Sequence, residues 1–166
     1  KRGEFIQDFL RDTAELGITK GDYLSEAILE TLSETSSARM RNLGYFDFSK
    51  NNYFFEADTL SIPDSAKLEL IINEYTRNES SKDAEPIRRY YIGNVDISYP
   101  KSLKIKEKIL TSLNTVKPGE VYSEDVVNKT YSRLSELRLF SSVNIGMTPR
   151  DTNLVDCSIS LTQSKL

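Results

Sequence analysis

From Glu124 onward Val126, Val127, Thr130, Tyr131, Leu134 and Leu137 recur at helical spacing with lysine, arginine and glutamate on the other faces. This pattern predicts an amphipathic helix laid on a flat surface. The period then changes to two. "SSVNIGMT" and "NLVDCSISLTQ" alternate, with Val155, Cys157, Ile159 and Leu161 on one face, and "PRDT" joins them as a turn, so two strands are expected. Upstream, Ile92, Val95 and Ile97 mark a strand in "RRYYIGNVDISY". "KSLKIKEKILTSLN" follows as a first helix facing inward with Leu103, Ile105, Ile109, Leu110 and Leu113. The predicted order is strand, helix, helix, strand, strand.

The first half of the chain repeats that order without its opening strand. "EFIQDFLRDTAEL" reads as a first helix, and Leu24, Ile28, Leu32, Met40 and Leu43 as the inward stripe of a second, with "SETSSA" as a bend because it is poor helix material. Strands are expected in "YFDFSKNNYFFEAD" and in "SAKLELIINEY", where Leu68, Leu70 and Ile72 alternate with Lys67, Glu69 and Ile71. The aromatic cluster Tyr45, Phe46, Phe48, Tyr53, Phe54 and Phe55 reads as core and cross-strand packing, with Tyr53 or Phe55 left exposed. Two segments align between the halves, offset from each other by a few residues, so the first copy is expected to carry a slightly longer helix or loop. Gly21 matches Gly119, Ser25 matches Ser123, Glu26 matches Glu124, and in "ARMRNLGYF" and "SRLSELRLF" Met40 matches Leu134, Leu43 Leu137 and Phe46 Phe140. Gly21 and Gly119 stand where the chain must reverse, a position that favours φ > 0, and Ser25 or Ser123 can then accept from the amides opening the next helix, a role for which Asp22 and Glu120 compete. Arg138 and Leu139 occupy the places of Gly44 and Tyr45, so the turn there is expected to be built differently. Between the copies "TRNESSKDAEP" has the composition of an exposed linker. The expected division is a module over 1–76, a linker over 77–87 and a complete module over 88–166, with the missing first strand supplied by preceding residues of a longer protein.

Composition narrows the chemistry. With 166 residues the chain suits one ordinary domain or two small ones, and the repeat decides for two. The net charge is −3 and no basic block tracks a phosphate backbone, so nucleic acid is not expected as a partner. No apolar run approaches the roughly 20 residues of a membrane helix. The sequence has no histidine and one cysteine, Cys157, which excludes a Ser-His-Asp triad and a His/Cys zinc cluster. Cys157 falls on the apolar face of its strand and reads as a small core residue. Asp47, Glu56 and Asp58 match no Ca²⁺ loop spacing. No catalytic residue, metal or cofactor is expected.

The order strand, helix, helix, strand, strand, with a glycine before the second helix and "LGYFDF" or "LRLFSSV" at its end, resembles the POTRA domain. Within that family "NLGYFDFSKNNYFFEADTL" is most similar to BamA-like proteins of the Bacteroidetes group. The resemblance implies an α+β fold of tandem modules, each with two helices on a three-stranded mixed sheet. It also implies a periplasmic scaffold, chaperone-like and not an enzyme, in an outer-membrane β-barrel assembly or translocation factor of the BamA and TamA type. The implied partners are unfolded outer-membrane clients, accessory periplasmic proteins and a membrane β-barrel elsewhere in the full-length chain. A docking adaptor of a division or secretion complex, handling no clients, is the competing reading. In the implied topology the first strand of a module pairs with the last, which leaves the middle strand at an edge. That edge, Ser142, Val143, Asn144, Ile145, Gly146, Met147 and Thr148, is the candidate peptide-binding site, taking an extended segment by β-augmentation. Asn144 and Gly146 are the candidate carriers of outward amides, and Gly146 either admits a close backbone or marks a bulge.

Overall fold

Val155, Cys157, Ile159 and Leu161 are at most 5% exposed in a computed structural model, which describes residues 3–61, 63–77 and 84–163. They lie on β7 (Leu154–Gln163), the middle of a three-stranded sheet of order β5-β7-β6, with β5 spanning Tyr91–Ser98 and β6 spanning Phe140–Arg150. β5 runs parallel and β6 antiparallel to β7. Helices α3 (Glu107–Leu113) and α4 (Glu124–Glu136) complete the unit, and Leu110 and Leu134, both 0% exposed, join the β7 residues in one core. The fold is α+β, in the expected order. α3 is shorter than its apolar pattern suggests: Leu103 and Ile105 precede it, and Ile109 is exposed. Thr130 caps the loop between the helices, its hydroxyl accepting from the Thr115 amide at 2.9 Å.

The chain divides into two units, Lys1–Arg41 with Asp47–Arg88, and Asn42–Phe46 with Arg89–Leu166. The short segment Asn42–Phe46 therefore belongs by its packing to the second unit. The Asn42 side chain accepts from the Asp125 amide at 2.9 Å and donates to the Asp125 carboxylate at 2.7 Å, opening α4 in place of Ser123, whose side chain makes no cap bond of its own. The Gly44 carbonyl accepts from the Tyr90 amide at 2.8 Å, and the Phe46 ring packs on Tyr90 and Tyr122. Gly44 has φ +106, and a Cβ there would lie 2.5 Å from Arg89 Cγ. Arg138, at the equivalent position of the repeat, has φ 54, so both copies turn through the left-handed region and the expected difference in construction is not found.

In the first unit α1 (Glu4–Thr13) and α2 (Glu26–Asn42) precede a hairpin of β1 (Tyr53–Asp58) and β2 (Lys67–Ile72), and among the described residues no strand precedes α1. Three sequence expectations change here. "SETSSA" is not a bend, since α2 is continuous through it. The inward face of α2 is Ser33, Ser36, Ser37 and Met40, while Ile28 and Leu43 are exposed. Small residues face inward because Phe5 and Phe9 of α1 and Phe48 and Tyr53 fill that space with a contiguous aromatic stack. Tyr53 is buried, and Phe54 is the exposed member of the cluster. The expected linker, 77–87, lies at 78–83 outside the described residues; at its ends β3 (Tyr75–Arg77) pairs antiparallel with β4 (Ala84–Pro86).

A polar chain runs through this first core. The Tyr53 hydroxyl donates to Ser36 Oγ at 2.5 Å, Ser36 donates to the Asp12 carboxylate at 2.8 Å, and Asp12 also takes Arg39 Nε at 2.5 Å. The Asp12 side chain is only 7% exposed, so its charge depends on those donors. Asp12→Ala is expected to lower the stability of the first unit by about 2–3 kcal/mol, since it strands Ser36 and Arg39 together. Tyr53→Phe should lower it by about 1 kcal/mol. Amide exchange at Phe9 and Met40 measures both.

Burial pushes the Tyr53 hydroxyl up to about 12 and the Cys157 thiol up to about 11, from ordinary values of 10.0 and 9.0. Both groups are neutral when protonated, and the unfolded chain ionises first, so their contribution is full below the ordinary value and lost as pH rises through the folded one. Stability is expected to fall between pH 9.0 and about 11 in the second unit and between 10.0 and about 12 in the first. Tyr53→Phe should flatten only the second of these slopes, as read by exchange in each unit.

Candidate functional site

In a strand, successive amides point to opposite sides, so one hydrogen bond sets the sense of the rest. The Tyr91 amide donates to the Asn153 carbonyl at 2.9 Å, and the register pairs Tyr91 with Leu154 and Ile92 with Val155. Val155, Cys157, Ile159 and Leu161 therefore serve β5, while Leu154, Asp156, Ser158, Ser160 and Thr162 serve β6. Their β6 partners are Arg150, Thr148, Gly146, Asn144 and Ser142. It follows that Val143, Ile145, Met147 and Pro149 turn away from β7, toward the open edge. Pro149 supports this independently: it has no N–H to offer the ladder, and it stands at an outward position opposite Val155.

All seven predicted site residues lie on β6. Val143, Ile145 and Met147 pack half-buried on the core, and Asn144, Gly146 and Thr148 are exposed on the other face. The sequence reading of the amides is corrected. Asn144 and Gly146 bond inward to β7, and the outward donors are Val143, Ile145 and Met147. Gly146 is regularly paired with Ser158, and the irregularity falls between Phe140 and Ser142. There Ser141 is left out of the ladder and its hydroxyl donates back to the Thr162 and Gln163 carbonyls at 3.3 and 3.2 Å.

The two sheet edges differ. On the β5 side residues 119–122 lie alongside: Ile92 donates to the Glu120 carbonyl at 2.8 Å, Gly119 to Ile92 at 2.8 Å and Tyr122 to Tyr90 at 3.0 Å. This cover was not foreseen, although the glycine at 119 marked the reversal that makes it possible. Farther along, β5 shifts register between Ile92 and Val95. The Asp156 carboxylate holds that irregularity, accepting Arg150 Nε at 2.8 Å and the Asn94 amide at 2.7 Å. These two donors, Arg150 first, keep its carboxyl below the usual carboxylate range. A Cβ on Gly93 would meet Asp156 Oδ1 at 2.3 Å and Arg150 at 2.8 Å, so a side chain there would have to displace the Asp156–Arg150 pair. Among the described residues no strand covers β6, and its stretch 142–148 contains no charged residue. An exposed edge without lysine or inward charge is open to pairing. Among the described residues no group of acids, histidines or cysteines could hold a metal, and no helix is long and apolar enough to cross a membrane.

Residues 90–163 match the family model of POTRA, the surface antigen variable number repeat. They form a POTRA domain. No curated protein matches the chain. Among solved structures, BamA from Haemophilus ducreyi lacking POTRA domains 1–3 is similar over 99% of this chain, with a TM-score of 0.70 and 14% identity. POTRA3–5 of BamA from Haemophilus influenzae is similar over 97%, with a TM-score of 0.64 and 12% identity. The chain spans 28% of the first of these structures and 57% of the second. At such identities the likeness is one of fold, and the fold of the chain is that of tandem POTRA domains. In the POTRA domain of residues 90–163 the amides of Val143, Ile145 and Met147 are expected to exchange with solvent at least about tenfold faster than those of Asn144 and Gly146, because only the latter are bonded to β7. The opposite order in an exchange experiment would invert the edge described above.

Proposed function

We propose that the chain is part of the periplasmic scaffold of an outer-membrane β-barrel assembly or translocation factor, and that its POTRA domain holds extended segments of unfolded clients or accessory proteins along β6. The observation that carries this reading is the contrast between the two edges: β5 lies against residues 119–122, while β6 turns the amides of Val143, Ile145 and Met147 outward over an uncharged stretch. A strand added there draws its affinity from main-chain bonds and demands little of the client's side chains. Many sequences can then be held weakly and released, which is what handling unfolded chains requires. Nothing in this action is catalytic, and the membrane β-barrel would belong to another part of the full-length protein. The similarity to BamA structures supports the assignment through the fold.

The test must remove an outward donor and leave the β7 ladder whole. Proline at Asn144 or Gly146 would break the sheet itself. Ile145→Pro acts at an outward position, as Pro149 does in the native strand, and Ile145→Ala controls for the lost apolar side chain. The probe is a ten-residue peptide alternating apolar and polar residues, the pattern of a transmembrane β-strand. Ile145→Pro is expected to bind it at least about tenfold more weakly than Ile145→Ala, a difference of ~1.4 kcal/mol. Equal affinity, with native circular dichroism in both, would reject β6 as a client site and favour a docking role.

A further inference from the structure

Both ends of the β6 edge are blunted. Toward the hairpin the outward positions run Val143, Ile145, Met147 and Pro149, and each but the last turns both its N–H and its C=O away from β7. Pro149 has no N–H, and its ring stands where an incoming backbone would lie. Toward α4, β6 advances from Ser142 to Phe140 while β7 advances only from Thr162 to Gln163, so the alternation breaks at Ser141. The Ser141 hydroxyl is spent on the Thr162 and Gln163 carbonyls. Proline and a bulge are two of the devices by which proteins keep a sheet edge from pairing. Between them the stretch 142–148 carries neither device, and it carries no charge.

Directly opposed residues of neighbouring strands share a face of the sheet. An incoming residue paired with Val143, Ile145 or Met147 therefore lies on the face where those side chains pack half-buried on the core. Apolar side chains there lengthen a row that otherwise stops at β6. The residues between them fall beside Asn144 and Gly146, exposed on the other face, so polar side chains stay in water. The segment that fits is about five residues long, apolar at its first, third and fifth positions, and spans roughly 17 Å. A transmembrane β-strand runs to about ten residues with the same alternation.

We propose that the β6 edge is a window of fixed length, closed by Ser141 and Pro149, that holds a client's transmembrane β-strand through one half at a time. The proposal rests on β6 as the client site and adds the length of the held segment, its side-chain pattern and the two residues that set its limits. Val143, Ile145 and Met147 form the ladder with the alternate apolar residues of one half of the strand. The other half stays unpaired and is open to the next partner the strand must meet. Ser141 and Pro149 thus determine specificity by length, where the ladder itself is indifferent to most of the client's side chains.

The experiment titrates the whole chain with peptides of three, five, seven and ten residues cut from one alternating apolar and polar sequence, each acetylated and amidated so that terminal charge does not vary. Affinity is expected to rise from three to five residues and then to stay within about threefold up to ten, the remaining gain being the choice of registers. Pro149→Val restores an outward donor and should make the seven-residue peptide bind at least about fivefold more tightly than the five-residue one. In the native chain the ten-residue peptide should slow exchange at least about tenfold at Val143, Ile145 and Met147, and not at Phe140 or Ser141. A native gain above about fivefold from five to ten residues, protection spreading to Ser141, or an unchanged length profile in a natively folded Pro149→Val chain would overturn the fixed window. If no peptide binds, or those three amides are never slowed, the client reading of β6 fails and the window with it. Binding at those amides that keeps growing with length removes the window alone.

Discussion

Both sides of the β7 backbone are occupied. Its odd-numbered residues from Val155 to Leu161 bond to β5 and its even-numbered residues bond to β6, and the same odd set carries the most deeply buried side chains of the strand. The pleat ties these two properties together: a residue's face and the direction of its amide alternate with the same period. Once β7 is buried as the middle strand, β6 has only one partner. Its half-buried residues Val143, Ile145 and Met147 are then the ones whose amides point away from the sheet. The edge site follows from how the core is filled, and the chemistry it offers is main-chain chemistry.

The first unit obeys the same rule with less cover. Leu68, Leu70 and Ile72 face the core and turn their amides away from β1; among the described residues β2 pairs with β1 alone, and all three side chains are half-buried. Cohesion comes from elsewhere, from the rings of Phe5, Phe9, Phe48 and Tyr53 and from the chain of donors ending on Asp12. The serines on the inner face of α2 belong to both features: they are small enough to admit the rings, and Ser36 passes the hydrogen bond from Tyr53 to Asp12. A helix in this position carries a polar inner face because its neighbours are large.

Periodicity was informative wherever one residue type had one role. The alternation through Val155 and Leu161, the helical stripe through Thr130 and Leu134, the reversals at Gly21 and Gly119 and the matched residues of the two copies were legible in the chain, and with them the order of elements and the POTRA fold. They are local or repeating signals, set by backbone geometry and burial. The stripe over Leu24, Ile28 and Leu32 misled because propensity and period say nothing about the size of the facing partner, and only the aromatic stack explains why Ser33, Ser36 and Ser37 turn inward. The residues of the candidate edge were likewise legible as a strand, but not the direction of their amides. That direction depends on one hydrogen bond between Tyr91 and Asn153, far apart in sequence, and a shift of one residue would exchange the inward and outward sets. The assignment of Asn42–Phe46 to the second unit also rests on partners more than forty residues away in the numbering, Tyr90, Tyr122 and Asp125. The sequence by itself determined which residues alternate and which repeat; the tertiary structure alone decided which side of each alternation is bonded and which is left open, because that choice is made between strands and not within them.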